Sequence, residues 1–568
     1  MRFPIPFLCL AMVTLAGCGE AMQGEYADFC EPALARVESF MASSSEETGW
    51  DDGYGGTAVV GTIGEIDGGM NGFGAAQAAT SQHQMFVNLM TLIQYDADLQ
   101  PIPYLATSWE VSEDETEVTF HLRDDVYWHD GELTTAYDVE FTFLRATDPA
   151  SGFPNPSFFQ YALPGTTGVQ VVDSFTVRFS YDRPHADFLD PWRTVAIMPR
   201  HLLEEVPPAD LARHPFGTVC PVGNGPFRFV SHDPGSQWIF EANPAFPEGL
   251  GGRPFLDRYV YRIIPEASTL LAELLTGGVD VYVSILPNFA DRVSEDPSLE
   301  LVTFPYRVVF FAGWNQRVEK LSDPRVRRAL TIGTNRSQIL EGLRGGEGVV
   351  VNTGVPVTHW AFDPSLGDSL PYNPDRASAL LSEAGWEDRD GDGIREDVEG
   401  TPLTIQLLFN TNQERQEVAE IMQAQLREVG VDLRPMELEI SAFFGRIFPP
   451  ERDFEGFLLS WEAEFRLDER DLFHSASVDG SYGFSGTQDA TLDRYLDTLQ
   501  LVTDRTEASR LWREYQLRLM AVQPFTFLYS PYRQSGVNKR LRGVEMDVRG
   551  DWQNLREWRI EPEDRRVP

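Results

Sequence analysis

Leu403-Thr-Ile-Gln-Leu-Leu-Phe409 is a short apolar run with the length of one buried strand. After it, apolar residues recur every three or four positions, as on the buried face of a helix, at Val418, Ile421, Met422, Leu426 and Val429. Gly430 marks the end of that helix, and Val431 to Leu433 return to a strand pattern. A strand, a helix and a strand in this order predict a βαβ unit and therefore a mixed α/β fold.

Two further helices are marked by the residues at their N-terminal ends. Asn373 is a preferred N-cap, and Pro374 suits the first helical position because its missing N–H would have no partner there. A buried stripe follows before Gly385, at Ala377, Leu380, Leu381 and Ala384. Asp323 and Pro324 open another helix in the same way. These signals extend the α/β pattern over the second half of the chain.

The composition is that of a folded but strongly acidic protein. Apolar residues make up 42% of the 568 residues, an ordinary share for a globular chain. Acidic residues outnumber basic ones by 87 to 46, which gives a net charge of −41. Such a field repels nucleic acid and anionic membrane surfaces, so we expect neither as a partner.

The sequence lacks the motifs of several common enzyme classes. A P-loop needs a lysine after glycine, but the two lysines, Lys320 and Lys539, follow Glu319 and Asn538. The nine histidines form no His-Glu-x-x-His zinc motif, and no Gly-x-Ser-x-Gly nucleophile turn occurs. We therefore expect no catalysis, and an exported hydrolase stays as an alternative.

The N-terminal residues 1–18 have the pattern of an export signal. Phe3 to Leu15 form a nearly continuous apolar run, shorter than the about 20 residues that a membrane-spanning helix needs. Leu15-Ala-Gly-Cys18 resembles the bacterial lipobox, in which a lipid alkylates the cysteine thiol before the signal is removed. We expect an exported protein that is held at a membrane only through a lipid on Cys18.

Residues 19–52 are rich in Ser, Glu and Gly, which is the composition of a flexible linker. We predict a tether, interrupted only by a short amphipathic turn at Leu34, Val37 and Met41. Outside the signal and the lipid site two cysteines remain, Cys30 and Cys220. An oxidising compartment permits them to form a disulfide, and they are too few for a zinc site that takes four thiolates.

An acidic stretch fits the EF-hand loop pattern, with oxygen ligands at positions 1, 3, 5, 9 and 12 and glycine at position 6. It reads Asp388-Arg-Asp390-Gly-Asp392-Gly393-Ile-Arg-Glu396-Asp-Val-Glu399. One interpretation is a structural Ca²⁺ site with the five carboxylates as ligands: Asp388, Asp390, Asp392, Glu396 and Glu399. The other is an acidic hairpin turn. No cofactor is expected to be required, and a structural Ca²⁺ is the one ion that the sequence suggests.

Several stretches, in order along the chain, resemble the peptide/nickel-type extracellular solute-binding proteins of family 5, and the last ones resemble its oligopeptide-receptor branch. They are Pro101-Ile-Pro-Tyr-Leu-Ala-Thr-Ser-Trp109, Trp128-His-Asp-Gly131, Pro221-Val-Gly-Asn-Gly-Pro226, Asp323-Pro-Arg-Val-Arg-Arg-Ala-Leu330, Asn373-Pro-Asp-Arg-Ala to Trp386, Pro524-Phe-Thr-Phe-Leu-Tyr and Asn538-Lys-Arg-Leu-Arg-Gly543. The resemblance covers residue 57 to the C-terminal end of the sequence.

This resemblance implies a periplasmic-binding-protein-like fold, with two α/β lobes joined by a hinge and a third subdomain inserted in the N-terminal lobe. The implied boundaries are 53–95, 206–305 and 521–568 for lobe I, 96–205 for the inserted lobe II, and 306–520 for lobe III. A peptide would be enclosed between lobes I and III and delivered by the monomeric protein to an ABC transporter permease, without chemistry on the ligand.

The resemblance also implies a peptide site in lobe III. Peptide-binding members carry a Trp and then an aspartate that pairs with the peptide α-amine. Here Ser460-Trp461-Glu462-Ala463-Glu464-Phe465 has Glu464 in that place, with a side chain one methylene longer. Trp461, Glu462, Ala463 and Phe465 would flank the ligand, and Glu462 and Ala463 would offer it strand-like backbone pairing. Trp314-Asn315 resembles the crossover strand that ends beside the cleft.

Other interpretations remain open at this stage. The acidic run from Trp461 to Asp471 could be a solvated face instead of an amine site. Within the same fold, the ligand could be a nickel complex, an oligosaccharide or another small solute. A receptor that reports its ligand to a sensor instead of a permease is a further alternative.

Overall fold

A computed structural model describes residues 27–45, 53–74, 78–154, 156–186, 188–463, 465 and 467–566. The export signal, the lipidation site Cys18, the outer parts of the expected tether and the expected amine-binding Glu464 lie outside these residues. Among the helices in the described ranges, none has the length and apolarity needed to cross a membrane.

The helices of the described residues are α1 Ala27–Ser45, α2 Ala78–His83, α3 Ala136–Ala146, α4 Pro191–Thr194, α5 Arg200–Leu203, α6 Pro208–Leu211, α7 Ala267–Thr276, α8 Ala290–Ser294, α9 Glu319–Ser322, α10 Pro324–Ile332, α11 Arg336–Arg344, α12 Pro374–Glu383, α13 Gln413–Arg427, α14 Ile440–Ile447, α15 Arg470–Phe473, α16 Ala490–Leu499 and α17 Arg505–Val522. The strands are β1 Thr57–Thr62, β2 Ile93–Tyr95, β3 Pro101–Pro103, β4 Ala106–Val111, β5 Glu117–Leu122, β6 Val169–Asp173, β7 Thr176–Ser180, β8 Phe227–Asp233, β9 Gln237–Ala242, β10 Arg258–Ile263, β11 Val281–Tyr282, β12 Leu299–Pro305, β13 Val308–Trp314, β14 Gly348–Val350, β15 Thr404–Asn410, β16 Asp432–Leu438, β17 Gly456–Glu462, β18 Phe525–Asn538, β19 Leu541–Arg542 and β20 Arg559–Ile560.

The chain divides into two compact units. Unit 1 comprises the described residues within 1–184, 188–302 and 534–568, and unit 2 those within 185–187 and 303–533. The implied lobe boundaries differ from this division in two places. Residues 521–533, expected in lobe I, belong to unit 2, because the first half of β18 pairs with β13 through Gly313↔Phe525 and Phe311↔Phe527. Lobes I and II also form one unit, since their buried residues share one apolar core.

Unit 1 contains two larger sheets, besides the two-stranded pairs β2-β3 and β19-β20. In one, β1 lies between β10 and β11 in parallel, and β9 and β8 extend the β10 edge in antiparallel order. The other is an antiparallel sheet in the order β4-β5-β7-β6. Its strand β5 alternates half-buried and buried residues, which is the pattern of a sheet with one covered face.

Unit 2 is built on a mixed sheet in the order β16-β15-β17-β13-β18. The predicted βαβ unit is confirmed: β15 and β16 are parallel from Thr404↔Asp432 to Asn410↔Leu438, and α13 connects them. The predicted N-caps are also confirmed, because Asn373 Oδ1 accepts a hydrogen bond from Arg376 N at 2.9 Å and Asp323 Oδ1 one from Arg325 N at 2.8 Å. Apolar cores cover both faces of this sheet.

The prediction of a tether is wrong for residues 27–45, which form helix α1. Its buried residues Ala33, Val37 and Met41 follow each other at intervals of four and join the apolar core of unit 1. Cys30 is bonded to Cys220, as the sequence permitted, with both residues fully buried. Arg36 donates to Asp130 from Nε at 3.3 Å and from Nη2 at 3.1 Å. Burial of one helical face therefore stabilises a helix within the segment that was predicted to be a tether.

Candidate functional site

The expected peptide-binding segment follows directly from strand β17 in unit 2. β17 runs antiparallel to β13, with Glu462 opposite Val308 at one end of the ladder and Gly456 opposite Trp314 at the other. Ala463 continues the pairing, since its N–H donates to the carbonyl of Arg307 at 2.9 Å. β13 therefore pairs with one edge of β17 along its whole length.

The other edge of β17 is paired over only part of its length. β15 contacts it in parallel at two positions, Leu407↔Gly456 and Leu408↔Phe457. From Leu458 to Glu462, no strand of the described chain pairs with this edge. We call these five residues the free edge. An unpaired strand edge exposes a row of N–H and C=O groups that can bind an added extended chain.

Glu462 is held by side chains of unit 2 and is not a solvated charge. Its Oε1 accepts hydrogen bonds from the Tyr306 hydroxyl at 2.8 Å and from Arg307 Nη2 at 3.0 Å. The same guanidinium donates to the carbonyl of Ala463 and stacks 3.9 Å from the ring centre of Phe465. Arg307 thus fixes the backbone at the end of β17. Sequence analysis missed it because the pair joins residues 155 positions apart.

Trp461 lies on the opposite face of β17, among aromatic side chains. Its ring meets Tyr482 edge-on at a centroid distance of 5.2 Å, Tyr482 lies 6.1 Å from Phe448, and Phe448 stacks on Phe444 at 5.3 Å. We call these four residues the aromatic platform. Tyr482 remains 39% exposed, so the platform offers an accessible apolar surface next to the free edge.

The loop that carries Tyr482 is held by two arginines. Arg317 Nη2 donates to the carbonyl of Gly483 at 3.0 Å, and Arg452 Nη1 donates to the same carbonyl at 3.3 Å. Both guanidinium groups also bind the carbonyl of Val478. The position of Tyr482 against Trp461 is therefore set by the fold.

Trp314 and Asn315 lie at the end of the β13–β17 ladder that is far from Glu462. Trp314 pairs with Gly456, six residues along β17 from Glu462, and it is fully buried with its Nε1 donating to Thr526 Oγ1 at 3.0 Å. Asn315 Nδ2 donates to the carbonyl of Phe454 at 2.9 Å. Their side chains stabilise the far end of the ladder, and their assignment to the ligand site stays a prediction.

Within the acidic run, Glu469 is buried and not solvated. The Tyr515 hydroxyl donates to its Oε2 at 2.6 Å. Burial raises the pKa of the Glu469 carboxyl to about 7, although the Tyr515 hydrogen bond opposes this shift. The carboxyl is thus fixed inside unit 2 and is not available to a ligand amine.

The predicted calcium loop gathers four of its five carboxylates. Oxygens of Asp388, Asp390, Asp392 and Glu396 lie within 4.8 Å of one another, and Glu399 is not part of this group. Hydrogen bonds from the loop backbone orient the carboxylates. Asp388 Oδ1 accepts from Gly391 N at 2.7 Å, and Asp392 Oδ1 accepts from Ile394 N at 2.7 Å. Glu387 and Glu396 form an antiparallel bridge, so the loop is also a hairpin. Both interpretations of the sequence are compatible with this geometry.

Comparison with known proteins identifies the family. The family model described as bacterial extracellular solute-binding proteins, family 5 Middle, matches residues 100–482. The chain belongs to the family 5 solute-binding proteins. This confirms the resemblance drawn from the sequence, and it places the protein in a class of exported solute-binding proteins.

Two comparisons with one relative give the scale of the similarity. The oligopeptide-binding protein AppA of Bacillus subtilis (strain 168) is 27% identical over 519 residues, which cover 91% of this chain and 94% of AppA. The structure of AppA from Bacillus subtilis in complex with a nonapeptide matches with a TM-score of 0.77 and 26% identity, over 89% of this chain and 99% of that one. These matches confirm the predicted periplasmic-binding-protein-like α/β fold.

A third match shows that the fold alone does not determine the ligand. NikZ from Campylobacter jejuni, in complex with Ni(L-His), has a TM-score of 0.75 at 24% identity, over 89% of this chain and 99% of NikZ. The same architecture therefore holds a peptide in one protein and a nickel complex in another. The choice between ligands has to come from the residues of the site.

Proposed function

We propose that this protein is the substrate-binding component of an ABC importer and that it captures oligopeptides. The free edge is the observation that carries the peptide assignment. An extended peptide can exchange main-chain hydrogen bonds with Leu458 to Glu462, as a strand added to the sheet. Neither a nickel complex nor an oligosaccharide has a backbone that matches the repeat of a strand edge.

The side chains around the free edge suit a peptide of variable sequence. Backbone pairing is the same for every residue type, so it gives affinity without selecting side chains. The aromatic platform offers apolar contact to side chains on one face of the bound chain. Glu464, directly beyond Ala463 in the sequence, takes the α-amine of the peptide in this proposal, and Arg307 binds the carbonyl of Ala463.

The family and the N-terminal sequence support the cellular role that we propose. The receptor performs no chemistry on its ligand and delivers it to the permease of the importer. A lipid on Cys18 holds the exported protein at the membrane. Ca²⁺ bound by Asp388, Asp390, Asp392 and Glu396 stabilises the loop before β15.

Native mass spectrometry of the gently purified protein tests the ligand class. We expect adducts with peptide masses after incubation with a random nonapeptide library, and none with Ni(L-His) or a linear oligosaccharide. Tyr482→Ala should weaken peptide binding about tenfold. Tyr372, which is 38% exposed and lies outside the aromatic platform, is the matched control, and Tyr372→Ala should bind like the parent. Adducts of only sugar or nickel would overturn the proposal.

A further inference from the structure

The N-terminal end of helix α1 is fixed to unit 1 by two contacts. Cys30, in the first turn, is bonded to Cys220. One residue earlier, the ring of Phe29 meets the ring of His214 edge-on, with 4.6 Å between the ring centres. The start of α1 therefore lies against the segment 214–220, which belongs to unit 1.

The middle and the C-terminal half of α1 are held as well. Asp130, whose side chain is fully buried, accepts a hydrogen bond from Arg36 Nη2 at 3.1 Å, and the same oxygen lies 2.9 Å from His201 Nε2. Further along, the ring of Phe40 packs against that of Tyr127, with 5.9 Å between the ring centres. Undocking α1 would leave the buried Asp130 without its arginine and would expose the apolar face of the helix to water. The whole helix is thus part of the folded unit.

Docking of α1 shortens the link between the folded protein and its lipid anchor. Eight residues, 19–26, separate Cys18 from Ala27, the first residue of the helix. A link of this length spans at most about 30 Å when fully extended. As one flexible tether, residues 19–52 would span at most about 110 Å. The contacts of α1 therefore reduce the reach of the tether about fourfold.

The charge of the protein makes this short link consequential. A net charge of −41 repels the folded protein from an anionic membrane surface. On a long tether the protein would move away from that surface until the repulsion is screened. On a short link it stays close to the surface, with the start of α1 on the side of the membrane. The docked helix therefore determines which side of unit 1 faces the bilayer.

We infer that α1 is a rigid mount for the lipid anchor and that it holds the segment 214–220 of unit 1 towards the lipid bilayer. This rests on the proposed function, because it needs the lipid on Cys18. The distance between this segment and the bilayer then depends on the contacts of α1. It is almost independent of the charge of the lipids, since the link cannot lengthen beyond about 30 Å.

Energy transfer from a dye on unit 1 to labelled lipids measures this distance in the full, lipidated protein. The dye is attached through an azide-bearing amino acid that replaces Arg213, an exposed residue beside His214. The protein is inserted into vesicles of phosphatidylcholine, or of phosphatidylcholine mixed with phosphatidylglycerol. At about 10 mM salt, where the field of the anionic lipids extends about 30 Å, the transfer in the parent should change less than about 1.5-fold between the two compositions.

Two variants lengthen the link in different ways. An insertion of about twenty Gly and Ser residues between Gly24 and Glu25 leaves every contact of α1 intact. Cys30→Ser, Cys220→Ser and Val37→Asp together remove the disulfide and place a charge at a buried position of the helix, so α1 undocks. On the anionic vesicles, transfer should fall at least about threefold in both variants, and about 1 M salt should restore it.

Glu38→Gln, a change on the exposed face of α1, is the control and should behave like the parent. A parent whose transfer falls as much as that of the insertion variant would overturn the inference. Equal transfer in the parent and in both variants on the anionic vesicles would overturn it as well. A parent that fails to bind the vesicles, as expected for Cys18→Ala, would overturn the lipid anchor of the proposed function instead.

Discussion

The guanidinium of Arg307 lies 3.0 Å from the carboxylate of Glu462, at the residue where β17 ends. The side chain of Arg307 is 10% exposed and that of Glu462 is 28% exposed, so the ion pair is only partly screened by water. Since the same guanidinium contacts the backbone carbonyl of Ala463, the pair fixes the direction in which the chain leaves the sheet.

Glu462→Gln should therefore lower the stability of unit 2, because Arg307 loses its charged partner while remaining largely buried. The expected loss is about 1.5–3 kcal/mol in the free energy of unfolding, the usual range for a hydrogen bond to a charged group. Chemical denaturation followed by tryptophan fluorescence measures it. Glu437→Gln, an exposed carboxylate on β16, is the control. Equal stability of the two variants would mean that the Arg307–Glu462 pair contributes little.

Glu469 should make stability depend on pH near neutrality. Its pKa in the folded protein is about 7, raised by burial from 4.5. Between pH 4.5 and about pH 7 the folded state therefore binds more protons than the unfolded state. Stability is thus greatest below the pKa of Glu469 in the unfolded chain, and it falls as the pH rises through the pKa in the folded protein. The difference between the two pKa values corresponds to at most about 3 kcal/mol in the free energy of unfolding.

Glu469→Gln keeps an acceptor for Tyr515 without an ionisable group. Its melting temperature should exceed that of the parent at about pH 8, and this advantage should disappear towards about pH 4. Differential scanning calorimetry of both proteins over this pH range measures the difference in melting temperature. A constant difference across the range would show that Glu469 does not titrate there.

For the acidic loop, EDTA should lower the melting temperature and Ca²⁺ should restore it, because a bound cation stabilises only the folded state. At saturation near a hundred times the dissociation constant the effect is about 2.7 kcal/mol. Asp390→Ala combined with Asp392→Ala should abolish the response. Glu399→Gln should retain it, since Glu399 lies outside the carboxylate group. A parent protein insensitive to EDTA would favour the plain hairpin.

Local sequence signals predicted the elements of unit 2 well. Asn373 and Pro374 mark the start of α12 through contacts within one helical turn, and the period of Val418, Met422 and Leu426 follows from the one buried face of α13. Such features depend on residues close in sequence. The family motifs are likewise contiguous, so the fold was accessible from the chain alone.

Features that depend on distant partners were not predictable in the same way. At Leu34, Val37 and Met41 the sequence indicated only a short amphipathic turn, and the core of unit 1 and Cys220 show that the whole of α1 packs. Glu462 is indistinguishable from its acidic neighbours until Arg307 and Tyr306 are placed beside it.

The central claim is that an oligopeptide binds at the end of β17 with its α-amine at Glu464, and a four-member calorimetric cycle tests it most directly. Binding of a library-selected nonapeptide and its N-acetylated form is measured for the parent and for Glu464→Gln. Breaking one partner of a buried ion pair costs about 3–5 kcal/mol, so each single change should reduce affinity by more than about a hundredfold. The two changes together should cost scarcely more than one. Additive losses, or binding that is indifferent to acetylation, would contradict the account.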